Sequence, residues 1–117
     1  MLTLPPSVQI WCATTPTDLR RGFDGLAALV RTQLRGDLLS GHLFVFHNKK
    51  ADRLKILYWD RDGLVLWYKR LERGRYHFPA ADATSLELTP GQLQMILDGV
   101  DVERVRRYKR YQRPTPS

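Results

Sequence analysis

At 117 residues and 13.6 kDa the chain is one domain's worth of sequence, long enough to bury a core and too short for two ordinary domains. Its composition, 43% hydrophobic and 26% charged, excludes wholesale disorder, and no apolar run nears the roughly 18–20 residues of a membrane span. The net charge of +7 directs attention to polyanionic partners, while Cys12, the single cysteine, excludes an internal disulfide.

In chain order, Val8 to Ala13 reads as a first strand, with Val8, Ile10 and Cys12 on one face. A helix is expected over 18–35, capped by Thr17 or Asp18, with Leu19, Phe23, Leu26, Leu29, Val30 and Leu34 forming its apolar stripe. Gly22 and Gly25 weaken that helix and imply a close neighbour at its first turns.

The middle third reads as an antiparallel meander. Leu43–His47 is one strand and Arg53–Trp59 a second. Asp60-Arg61-Asp62-Gly63 is a turn with the glycine in the left-handed position, and Leu64–Leu71 follows as a third strand. Tyr76-His77-Phe78 suggests a short fourth. Alternation in the second strand places Leu54, Ile56 and Tyr58 toward the core and Arg53, Lys55 and Trp59 outward, because the opposite register buries two charges.

Leu86-Glu87-Leu88 is a further strand candidate. Thr89-Pro90-Gly91-Gln92 then spells a capping box with proline at the first helical position, opening a helix that turns Leu93, Ile96 and Leu97 inward and stops at Gly99. The fold class expected is α+β: a small antiparallel β-meander packed with two helices, in one domain over 1–103. Residues 104–117 are expected to form a basic, flexible tail.

The charge is blocked. Residues 42–78 carry net +5, residues 79–103 carry −5 and residues 104–117 carry +6. Lys49, Lys50, Arg53, Lys55, Arg61, Lys69, Arg70, Arg73 and Arg75 are interleaved with Trp59, Trp67, Tyr68 and Tyr76. Arg104, Arg106, Arg107, Lys109 and Arg110 extend the set into the tail. Cations on a twisted sheet suit phosphates, and exposed rings suit stacking on bases. Trp59 and Trp67 read equally well as core. With no base-reading motif, contact with a nucleic-acid backbone is expected rather than base readout.

Enzymatic signals are weak. His42, His47, His77 and Cys12 show no metal-ligand spacing, and no nucleophile elbow or nucleotide-binding glycine loop is present. Asp60 and Asp62 admit a Mg²⁺-dependent nuclease, but aspartates are also what a turn prefers. No catalytic residue, metal or cofactor is expected.

Three runs of sequence are specific beyond composition. They are Phe44-Val45-Phe46-His47-Asn48-Lys49-Lys50, then Lys55-Ile56-Leu57-Tyr58-Trp59-Asp60-Arg61-Asp62-Gly63, then Leu66-Trp67-Tyr68-Lys69-Arg70-Leu71-Glu72-Arg73-Gly74. With Thr17 to Leu26 upstream and Leu88-Thr89 and Leu97-Asp98-Gly99 downstream, the chain resembles the TnpB accessory proteins of IS66-type insertion sequences over residues 8–100. It does not resemble the RNA-guided nucleases that share that name, which are much longer and carry a multi-cysteine zinc module. The resemblance implies an accessory part in DNA transposition in the bacterial cytoplasm, beside a separately encoded transposase that performs the strand chemistry. It carries over no catalytic residue. DNA is one expected partner and the transposase another, the latter meeting the acidic 79–103 segment; no membrane partner is expected.

Overall fold

The computed structural model of the protein describes residues 7–100. Strands β1 (Ile10–Ala13), β2 (Leu43–His47), β3 (Arg53–Asp60), β4 (Gly63–Arg70) and β5 (Ser85–Leu88) form one sheet in the order β4-β3-β2-β1-β5. Helix α1 (Phe23–Thr32) lies between β1 and β2, and α2 (Pro90–Leu97) follows β5. The β2-β3-β4 meander is the expected one, and the class is α+β. The pairing of β1 with β2 is parallel, whereas all the others are antiparallel. A parallel neighbour needs a long crossover, and the segment containing α1 supplies it.

The unbroken apolar run Leu43–Phe46 explains the central place of β2, since a strand covered on both faces has no polar side to show. Leu43 and Val45 point into a core with Ile10, Cys12, Leu54 and Ile56, closed by Leu93, Ile96 and Leu97 of α2. Phe44 and Phe46 point into the other core with Ala13 and Leu57, closed by Leu26, Ala27 and Val30 of α1. The sheet is therefore held between the two helices.

α2 forms as its sequence spells it. Thr89 Oγ1 accepts from Gln92 N at 3.1 Å, Gln92 Oε1 accepts from Thr89 N at 2.9 Å, and Gly99 closes the end at φ +81°.

α1 departs from expectation. It starts at Phe23, and Gly22 at its cap has no side chain to accept from the first-turn N–H groups. Thr17 is buried and its N–H donates to His47 O at 2.8 Å, so the chain there is committed to the end of β2 before any helix begins. Asp18 shapes a turn instead, accepting from Arg20 N at 3.0 Å. Leu19 reaches the core from this loop, while Phe23 stays 48% exposed. The close approach expected at Gly22 and Gly25 lies at Gly36, where a Cβ would stand 2.5 Å from Phe44 Cε1; the nearest atom at Gly25 is on its own neighbour Arg21.

Two further expectations are corrected. Asp60 pairs with Gly63, leaving Arg61-Asp62 as the loop, and it is Arg61 rather than Gly63 that takes a positive φ, +54°. Asp62 N–H donates to Asp60 O, so the reversal is a γ-turn around Arg61. Tyr76-His77-Phe78 is not a strand. Tyr76 N–H donates to Ala51 O at 2.7 Å and its ring enters the core, while Phe78 stacks on His47 with ring centroids 4.2 Å apart.

Candidate nucleic-acid interface

With both faces of the sheet covered, the cations gather at one corner, where β2 ends, β3 begins and β4 ends. Arg53 pairs across the sheet with Arg70 and Leu54 with Lys69. The 48–52 turn adds Lys49 and Lys50, and the 71–75 loop adds Arg73 and Arg75; all these cations are exposed. Arg20 and Arg21, which stand outside the basic run of 49–75 in the sequence, come to the same corner from the loop before α1. Nothing local marks them; only the folded position of that loop does.

Two hollows flank the corner. One, of about 520 Å³, opens between residues 16–20 and 48–53, with Arg20, Lys49, Lys50 and Arg53 on its walls. The other, of about 530 Å³, is lined by Lys69, Arg73, Arg75 and His77 with the end of α2.

The register expectation holds for Leu54, Ile56 and Tyr58, which face the α2 core. Lys55 is the correction. It is only 7% exposed, and its Nζ donates to Leu19 O at 2.6 Å and Arg21 O at 2.8 Å while lying 4.7 Å from the Tyr68 ring centroid. A buried ammonium is tolerated when its protons are taken up, and two carbonyls and a ring face do that here. This side chain pins the 19–21 loop to the sheet and does not reach an outside phosphate. Its charge nevertheless stands directly behind the corner with no acid within ion-pair distance among the described residues.

Few acids offset the corner. Asp18 pairs with Arg20 at 2.7 Å, and this bond holds its carboxyl at about 2, well below the usual range. Asp52 accepts from Asn48 Nδ2 at 2.7 Å, which lowers its pKa, and Asn48 Oδ1 accepts from Arg53 N at 3.0 Å, so this network shapes the turn. Glu72 meets Arg70 at 3.0 Å. Among the described residues, Lys49, Lys50, Arg53, Lys69, Arg73 and Arg75 have no acidic partner. Arg53 and Arg70 stand directly opposite, an unfavourable juxtaposition of like charge.

The rings divide. Tyr68, 47% exposed, borders the corner and its hydroxyl accepts from Arg53 Nη1 at 3.3 Å. Trp67 packs partly buried on the α2 side. Trp59 is also partly buried, its Nε1 donating to Arg61 O at 3.1 Å, and Tyr76 is core. Arg61 stands at the far end of the β3–β4 hairpin, away from the other cations. Arg104, Arg106, Arg107, Lys109 and Arg110 lie outside the described residues. Asp60 and Asp62 are exposed at the hairpin tip, and among the described residues no three His, Cys, Asp or Glu side chains are placed to share a metal ion.

Comparison with known proteins matches residues 8–107 to a family described as IS66 Orf2 like protein. The chain belongs to that family. Its membership associates the protein with insertion-sequence transposition, and the match runs past residue 103 into the basic segment as far as Arg107. Two relatives from Sinorhizobium fredii (strain NBRC 101917 / NGR234) are similar over most of both chains. The uncharacterized protein y4jC is 42% identical over 108 residues, 92% of each chain. The uncharacterized protein y4hO is 40% identical over 101 residues, 86% of this chain and 88% of its own. No solved structure matches.

Proposed function

We propose that this protein is a non-enzymatic accessory factor of insertion-sequence transposition that grips DNA by its backbone. The observation that carries this reading is the corner at the ends of β3 and β4. Six exposed cations there (Lys49, Lys50, Arg53, Lys69, Arg73 and Arg75) lack acidic partners among the described residues, and buried Lys55 adds its charge from behind. The basic 104–117 segment supplies a second set of phosphate contacts, and Tyr68 is the ring placed to stack on a base. In this reading the protein works in the bacterial cytoplasm, and the strand chemistry belongs to a separately encoded transposase, which this protein serves by holding DNA.

The test is binding of the full chain to transposon-end and unrelated duplexes across a salt series, with and without residues 104–117. Affinity should fall steeply with salt, with a slope of about 0.9 log units per neutralised phosphate, and the shortened chain should show a shallower slope. Absence of binding at low salt would overturn the reading and redirect attention to the transposase.

A further inference from the structure

Strand β4 is an edge of the sheet, with no strand beside it among the described residues. Leu71 N–H donates to Asp52 O at 2.7 Å, so the next pair inward, Arg53 with Arg70, turns its backbone groups away from each other. Alternation then assigns the outward-facing N–H and C=O groups of β4 to Leu64, Leu66, Tyr68 and Arg70. The middle of this edge is unguarded. Pairing with β3 runs unbroken from Asp60–Gly63 to Arg53–Arg70, without a bulge. Leu64, Val65, Leu66 and Trp67 include no charge and no proline, and all four are only partly buried. Unbulged apolar edges of this kind pair with another strand unless something blocks them.

The ends of β4 say which strand fits. Asp62 stands just before it, and Lys69 and Arg70 close it. We infer that β4 pairs antiparallel with β4 of a second copy, about a two-fold axis at Leu66, joining two five-stranded sheets into one. Outward-facing groups must meet outward-facing groups, and with Leu66 opposite its own copy this condition is met. Leu64 then lies across from Tyr68 of the second copy and Val65 across from its Trp67, while Asp62 lies across from its Arg70. The symmetry makes the Asp62–Arg70 contact twice. A parallel arrangement would set like charge beside like.

Among the described residues Arg70 is held only by Glu72, in an exposed pair that exchanges easily. In the assembly the two basic corners point to opposite ends of a shared sheet, about 30 Å apart by strand rise, close to the ~34 Å turn of a DNA duplex. The pairing itself does not depend on DNA contact and is measured without DNA.

Sedimentation equilibrium of the full chain, from about 1 μM to about 1 mM, reads it directly. A concentration-dependent species of twice 13.6 kDa is expected. Asp62→Arg and Arg70→Asp, both at exposed positions, should each weaken it about tenfold, and the double exchange should restore it. Leu66→Lys, which sets two cations together on the axis, should abolish it, with a thermal melt confirming that each variant is folded. A monomer at every concentration would overturn the inference, as would a dimer indifferent to both charge reversals. A chain that dimerises only after removal of residues 104–117 would give the edge to that segment and overturn it equally.

Discussion

Helices α1 and α2 cover opposite faces of one sheet, yet their first turns are secured by different means. At α2 four adjacent residues suffice, with Thr89 and Gln92 satisfying each other's backbone N–H groups. At α1 the capping position is Gly22, and the chain before it is fastened from across the fold: Lys55 Nζ takes the carbonyls of Leu19 and Arg21, and Thr17 N–H is given to His47 O. The difference separates two kinds of information. A local device is written in four neighbouring letters. A tertiary one is written in a lysine more than thirty residues away, whose task is invisible until the strand is placed against the loop.

The contrast can be broken at its strongest point first. Lys55→Met keeps most of the side chain's length but leaves two buried-side carbonyls without a donor, and should cost roughly 2–3 kcal/mol in urea unfolding. Hydrogen exchange should speed up over the loop before α1 and leave α2 protected; uniform loss over both helices would contradict the division. Thr89→Ala removes the local device and should cost about 1 kcal/mol, with fraying confined to the first turn of α2.

The smallest effect lies where the loop meets β2. His47 is 7% exposed, its Nε2 3.1 Å from Ala13 O and its Nδ1 3.3 Å from Asn48 O. Burial lowers its pKa from 6.5, outweighing the two carbonyls that favour the charged ring. The unfolded chain therefore takes up the proton first. This contribution to stability is complete above about pH 6.5 and is lost as pH falls below it, down to the folded-state pKa. His47→Gln should flatten the pH dependence of the melting temperature in that window, and an unchanged slope would show that other groups set it.

How much of this was legible follows the same line. Strands β2, β3 and β4, strand β5 and the whole of α2 stand in alternation, apolar runs and cap chemistry, all readable within a few residues. The start of α1 was not, because the apolar stripe continues through Leu19 while Thr17 and Leu19 are committed to the sheet. The cost of burying a cation predicts an outward Lys55, and in the fold that cost is offset by carbonyls and the Tyr68 ring. The basic residues themselves were plain in the sequence. That Arg20 and Arg21 join them, that Arg61 stands apart, and that they occupy a corner rather than an open sheet face are consequences of topology.

In the proposed function the position of charge, and not its total, makes the DNA contact. Two variants with the same change in net charge test it: Lys49→Gln, Lys50→Gln and Lys69→Gln at the corner, against Arg31→Gln, Arg35→Gln and Arg61→Gln, all exposed and away from it. In duplex-binding titrations over a salt series, the corner variant should lose affinity and reduce the salt slope by about 2 to 3 log units per decade, while the control keeps the parent slope. Equal losses in both variants would contradict a basic corner and leave only a generally cationic protein.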